Sequence, residues 1–130
     1  MTVPNIALHD GTSIPQLGFG VFQVPPPETA ATVTAALEAG YRHIDTAQMY
    51  GNEAGVGAAI KDSGLARDEL YVTTKLNNGF HRPDDARRAI DESLERLGLE
   101  QTDLFLIHWP LPTKYDGDFV STWQALIEAQ

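Results

Sequence analysis

Four short apolar segments begin near residues 17, 41, 70 and 103, and a stretch with helical periodicity follows each of them. A unit of roughly 30 residues that alternates in this way is a βαβ repeat, so the strands run parallel and the crossovers are right-handed. The first unit has Leu17-Gly18-Phe19-Gly20-Val21-Phe22 as its strand. Its helix spans 28–39, with Glu28 in the first turn, Val33, Ala36 and Leu37 at helical spacing and Gly40 as the closing glycine. The prolines at 25, 26 and 27 read as a stiff lead into that helix. In the second unit, Tyr41 to Ile44 form the strand, Asn52 caps a helix bearing Val56, Ala59 and Ile60, and Gly64 ends it. The third has a β-branched strand, Leu70 to Thr74. Its helix opens with Pro83, Asp84 and Asp85, carries Ala86, Ala89, Ile90, Ser93, Leu94 and Leu97 as its stripe, and closes at Gly98. Leu104-Phe105-Leu106-Ile107 is a continuous apolar run, the pattern of a strand buried on both faces. Val120, Trp123, Leu126 and Ile127 mark the last helix, which has no stop signal. Upstream, Ile6-Ala7-Leu8 and Ser13-Ile14 flank Asp10-Gly11, a hairpin signal.

This alternation allows a doubly wound open sheet or a (β/α)8 barrel. A nucleotide-binding open sheet needs a glycine-rich phosphate loop after its first strand. Gly18-Phe19-Gly20-Val21-Phe22-Gln23 starts like one, but Gln23 stands at the last glycine position and three prolines follow. Gly55-Val56-Gly57 lies inside a predicted helix, and neither segment is a Walker loop. A barrel of eight units takes about 250 residues. The 130 residues hold four units, so the expectation is a single partial domain over 1–130 whose C-terminal half is absent.

Composition narrows the partners. Nine basic residues against 18 acidic leave a net charge of −9, which repels nucleic acid and anionic membrane surfaces. With no cysteine there is no disulfide, thiolate metal site or thiol nucleophile. Met1-Thr2-Val3-Pro4-Asn5 shows no secretory leader, and no apolar run nears the ~20 residues of a membrane helix, so the expected location is cytoplasmic.

In a barrel the functional groups stand just after the strands, all at one face. The strand ends here carry Gly20-Val21-Phe22, then Asp45 with Tyr50 on the same loop, then Lys75, then His108. Taken singly, each has an ordinary explanation: a turn aspartate, a packing tyrosine, a solvated lysine, a histidine satisfied beside Pro110. A barrel converts the set into one cluster of titratable groups.

Residues 40–57 (GYRHIDTAQMYGNEAGVG) resemble the signature of the aldo-keto reductases. Thr74-Lys75-Leu76 and Ile107-His108-Trp109-Pro110 resemble that family's next two landmarks, in order, and Gly18 to Phe22 resemble its first strand. Within the family the chain is most similar to the bacterial 2,5-diketo-D-gluconate reductase group. The resemblance implies a (β/α)8 barrel, no metal, and NADPH-dependent reduction of aldehydes and ketones. It makes Tyr50 the general acid that protonates the carbonyl oxygen. A cation close to a phenol favours its ionised form, which is the role implied for Lys75, and Asp45 supplies that cation's counter-charge. His108 would hold the substrate oxygen, so that Tyr50 and His108 serve the developing alkoxide. Gly20, Val21, Phe22 and Asp45 are implied as cofactor contacts, and Phe22, Met49, Tyr50, Asn77, His108 and Trp109 as the substrate pocket around a small carbonyl compound. Asn77 departs from the tryptophan common there, in the direction of a wider pocket for hydroxylated substrates.

The family's contacts to the 2′-phosphate of the cofactor come from the later strands, which leaves NADPH against NADH preference and the physiological substrate to segments beyond Gln130. Three readings stand: a carbonyl reductase represented by its N-terminal half, a non-catalytic half-barrel serving assembly or regulation, and a small open-sheet binding domain. Four strands cannot close a ring, so open edges, and Leu17, Phe19, Ile44, Val72, Leu104 and Leu106 under-packed wherever they point inward, lead to an expectation of self-association.

Overall fold

A computed structural model describes residues 3–130. Met1 and Thr2, part of the stretch read for a leader, lie outside the described residues. The chain begins with an antiparallel hairpin, β1 (Asn5–Ala7) and β2 (Ser13–Pro15). Gly11 takes φ 86° in its loop, and the Asp10 carboxylate accepts hydrogen bonds from the Thr12 amide and hydroxyl at 2.9 and 2.7 Å. Four βα units follow: β3 (Gly18–Gly20) and α1 (Pro26–Glu38), β4 (His43–Asp45) and α2 (Glu53–Asp62), β5 (Tyr71–Leu76) and α3 (Pro83–Leu97), β6 (Leu104–Ile107) and α4 (Val120–Glu128).

The four strands pair in parallel in the order β3-β4-β5-β6. That order never reverses, so right-handed crossovers place every helix on the same face and each helix packs on the next. A doubly wound sheet needs a reversal, the switch point at which its ligand binds. The sheet has none, so the arrangement is that of the first half of a (β/α)8 barrel.

The core fills the space between sheet and helices. Val21, Val33, Leu37, Ile44, Val56, Ile60, Val72 and Leu97 form its larger cluster; Leu76, Ala86, Ala89 and Ala125, with Phe105 against them, form the smaller. The glycine pair of α2 finds its use here. A Cβ on Gly57 would stand 2.4 Å from the Leu97 carbonyl oxygen, and one on Gly55 would stand 2.7 Å from Thr29 Cβ. The two glycines let α2 press on α3 and α1.

Several expectations change. Ile44 and Val72 are fully buried under the helices, and Phe19 packs on that same cluster, so none of the three faces the barrel interior. The inner face carries instead His43, Asp45, Tyr71, Thr73 and Lys75, with Leu104 and Leu106, because alternation along each strand sends these side chains the other way. Leu106 is 38% exposed, so β6 is not buried on both faces: it is an edge strand, covered only on its helical side. Asn52 precedes α2 but makes no capping bond; its side chain is used elsewhere. Pro26 and Pro27 already belong to the first turn of α1, where the missing amide costs nothing. Among the described residues no helix is long and apolar enough to cross a membrane.

Candidate active site

Parallel strands end together, and the C-terminal ends of β3 to β6 bring the polar groups to one shelf. The register sets Gly20 beside Asp45 and Lys75 beside Leu106, with His108 just past β6. The Lys75 ammonium donates to Asp45 Oδ1 at 2.7 Å and to the Thr46 carbonyl at 2.8 Å. The Lys75 side chain is 14% exposed and that of Asp45 32%, a partly buried pair whose charges are therefore less screened than those of a surface bridge. The same ammonium lies over the Tyr50 ring, 5.1 Å from its centroid.

Tyr50 ends a single 3-10 turn (Gln48–Tyr50), and Gly51 reverses the chain behind it at φ 67°. The Tyr50 ring meets Phe22 at 5.2 Å and His108 edge-on at 5.6 Å. Burial, and then the Lys75 charge, hold His108 below the usual imidazole value, with Asp45 opposing. His108 is thus a neutral ring near neutrality, and its Nδ1 is buried with no hydrogen-bond partner among the described residues.

The remaining pocket candidates divide. Phe22 and Trp109 are 65% and 60% exposed, and Met49 is also exposed, so all three stand free around the shelf. The Asn77 amide donates to Gln48 Oε1 at 2.8 Å, while its own side chain accepts from the Gly79 amide at 3.0 Å. Asn77 thus shapes the loop after β5. Gly20 leaves the space above Asp45 clear, since a Cβ there would lie 3.8 Å from Asp45 Oδ2. Val21 differs from expectation: its side chain is wholly inside the core, its amide donates to the Asp45 carbonyl, and its carbonyl accepts from Asn52. The loops after β5 and β6 are tied to each other by Tyr115, which stacks on His81 at 5.1 Å and donates to the Asn78 carbonyl at 2.7 Å.

Gln48, Asn52 and Glu53 also belong to this region, although the sequence offers Asn52 only as a helix cap and gives Gln48 and Glu53 no role. Glu53, 1% exposed, accepts from Thr74 Oγ1 at 2.6 Å and pairs with Arg96 at 2.7 Å, which anchors α2 to the strand of Lys75. Their only signal was three uncharged or acidic polar residues flanking Tyr50 in an otherwise apolar segment. A further concavity lies away from the shelf. A groove of about 450 Å³ between α3, β6 and α4 is lined by Ile90, Leu94, Phe105, Trp123 and Ile127, and none of the polar groups above reaches it.

A half-barrel with these strand ends defines a family, and comparison with known proteins agrees. The model of the Aldo/keto reductase family matches residues 16–130. An aldo-keto reductase of Mycobacterium sp. (strain KMS) is 51% identical over 125 residues, covering 96% of this chain and 45% of that protein. A methylglyoxal reductase of Yersinia pestis is also 51% identical, over 95% of this chain and 43% of its own length. The crystal structure of a Bombyx mori aldo-keto reductase in complex with NADP superposes with a TM-score of 0.90 at 40% identity, over 99% of this chain and 47% of that one. The chain belongs to the aldo-keto reductase family, and it spans about half the length of the relatives it matches.

Proposed function

We propose that the chain carries the catalytic half of an NADPH-dependent reductase of aldehydes and ketones, with Tyr50 as the proton donor. The observation that carries this reading is the Lys75 ammonium, locked by Asp45 and the Thr46 carbonyl and held over the Tyr50 ring. A cation in that place stabilises negative charge on the phenol oxygen as its proton leaves. The pairing with Asp45 fixes the ammonium without sending it into water. His108 is neutral, so it serves as a hydrogen-bond donor to the substrate oxygen and leaves proton transfer to Tyr50. Phe22 and Trp109 offer exposed aromatic faces on which a small carbonyl compound can lie.

The shelf fits a nicotinamide cofactor. Gly20 places no side chain of its own beside Asp45, and Asp45 Oδ2 has no hydrogen-bond donor among the described residues, so it is free to accept from a ribose hydroxyl. When bound, NADPH supplies the hydride. The family membership and the NADP complex of the Bombyx mori relative support the same choice.

The experiment joins this chain to the remaining half of the Mycobacterium relative and follows NADPH oxidation with glyceraldehyde. Turnover is expected, and Tyr50→Phe is expected to lower kcat by the ~10²–10⁴ of general acid catalysis with NADPH affinity nearly unchanged. Equal turnover in the variant refutes the role of Tyr50. A folded, inactive chimera favours the non-catalytic half-barrel.

A further inference from the structure

Tyr50 rides on a single turn of three residues, too short to hold its own orientation through a helical ladder. Two neutral side chains brace it from opposite sides. Gln48 Oε1 accepts from the Asn77 amide at 2.8 Å, and its Nε2 donates to the Ala89 carbonyl at 2.6 Å. That fastens the start of the turn to the loop after β5 and to α3. Asn52 is 1% exposed. Its Oδ1 accepts from the Thr46 hydroxyl at 2.8 Å, and its Nδ2 donates to the Val21 and Val24 carbonyls at 3.0 and 3.1 Å. That fastens the end of the turn to the β3–α1 loop, which carries Phe22.

The bonds converge on the site. Thr46, held by Asn52, offers the carbonyl that grips Lys75. Phe22, on the loop held by Asn52, meets the Tyr50 ring. Asn77, held by Gln48, comes directly after the strand of Lys75, two residues beyond Lys75 itself. Each brace must accept one hydrogen bond and donate at least one more from the same end of a side chain. Among short side chains only a carboxamide offers a carbonyl acceptor and two N–H donors together.

We propose that Gln48 and Asn52 are positioning residues for Tyr50: paired carboxamide braces that set its ring against Lys75, Phe22 and His108 without touching substrate. The inference rests on the reading of Tyr50 as proton donor, but the geometry can be tested apart from it.

The test compares the chain with Gln48→Met, which keeps length and removes both bonds, and Asn52→Asp, which keeps the acceptor and removes both donors. Thr46→Val, which removes only the hydroxyl, is the third variant. NMR reads the ring contacts of Tyr50 with Phe22 and His108 and the amide exchange of the Val21–Val24 and Asn77–Phe80 segments, with Val72 and Thr74 as core controls. Asn52→Asp is expected to lose the Tyr50–Phe22 contact and speed exchange in the β3–α1 loop by at least about tenfold, since the hydrogen bonds to both the Val21 and Val24 carbonyls are lost. Gln48→Met is expected to do the same for the β5–α3 loop and the Tyr50–His108 contact. Core exchange stays unchanged. In the chimera either substitution lowers kcat with little change in KM, and neither adds to the loss already caused by Tyr50→Phe. Wild-type ring contacts in all the variants overturn the proposal. So does uniform loss of protection, core included, because the braces then serve stability alone. An inactive chimera with selectively lost contacts refutes the reductase reading and keeps the braces.

Discussion

Replacing Gly57 by alanine tests how the helices pack on the sheet. By helix propensity the change should stabilise, since glycine inside a helix costs about 0.5–1 kcal/mol relative to alanine. The packing opposes it. The new methyl would lie 2.4, 2.7 and 2.9 Å from the carbonyl oxygen, carbonyl carbon and Cα of Leu97. All three are backbone atoms, so no side chain can rotate away. To reach an ordinary contact, α2 must part from the end of α3 by about 1 Å, and a gap of that size forfeits up to half of each van der Waals well. The separation would loosen Val56, Ile60 and Leu97, which share the larger core cluster. Overpacking of this kind costs about 1–3 kcal/mol. Because the opposing backbone cannot rotate aside, the upper half of that range applies, and the net effect after the propensity gain is a loss of about 1–2 kcal/mol. For 130 residues each kcal/mol moves Tm by about 4 °C, so a drop of about 4–8 °C is expected. Urea denaturation and thermal circular dichroism read it. Ala58→Gly, at an exposed position of the same helix, reports propensity alone. A Gly57→Ala protein as stable as the parent, or more so, would refute the close-approach argument.

Burial holds His43, His81 and His108 below the usual imidazole value. Their unfolded forms take up protons first, near pH 6.5. The stability is therefore fully present above that pH and is lost as pH falls through the lower folded values; urea titrations at pH 8, 6 and 5 check it, and a flat profile argues against the buried neutral rings. Open backbone edges on β3 and β6 lead us to expect self-association at micromolar concentration. The inner face is more polar than the sequence suggested, so the edges rather than apolar burial would drive it, and one monomeric boundary in sedimentation velocity over that range would exclude it.

Much of this protein was legible in its residues. Parallel topology followed from the repeat of apolar segments and helical stripes. Pro83 and Gly98 bound α3 as their φ restrictions require, with Gly98 in the left-handed region at 65°. Asp45, Lys75 and His108 could be placed at one end because parallel strands share a direction. Tertiary structure decided what depends on neighbours. Alternation along a strand names two faces but not which is inner, so the sequence leaves open which of these apolar residues point inward, and only the packing of the helices turns Ile44 and Val72 outward. Gly55 and Gly57 lie inside a predicted helix with nothing in the sequence to say why glycine stands there, and only the approach of α1 and α3 gives them a purpose. Asn52 stands where a helix cap belongs, and local sequence cannot tell a capping carboxamide from one whose partners, Val21 and Val24, lie some 30 positions away. Hydrogen-bond partners distant in sequence are chosen by the fold, which is why the strand-end cluster could be read from the chain and the braces around Tyr50 could not.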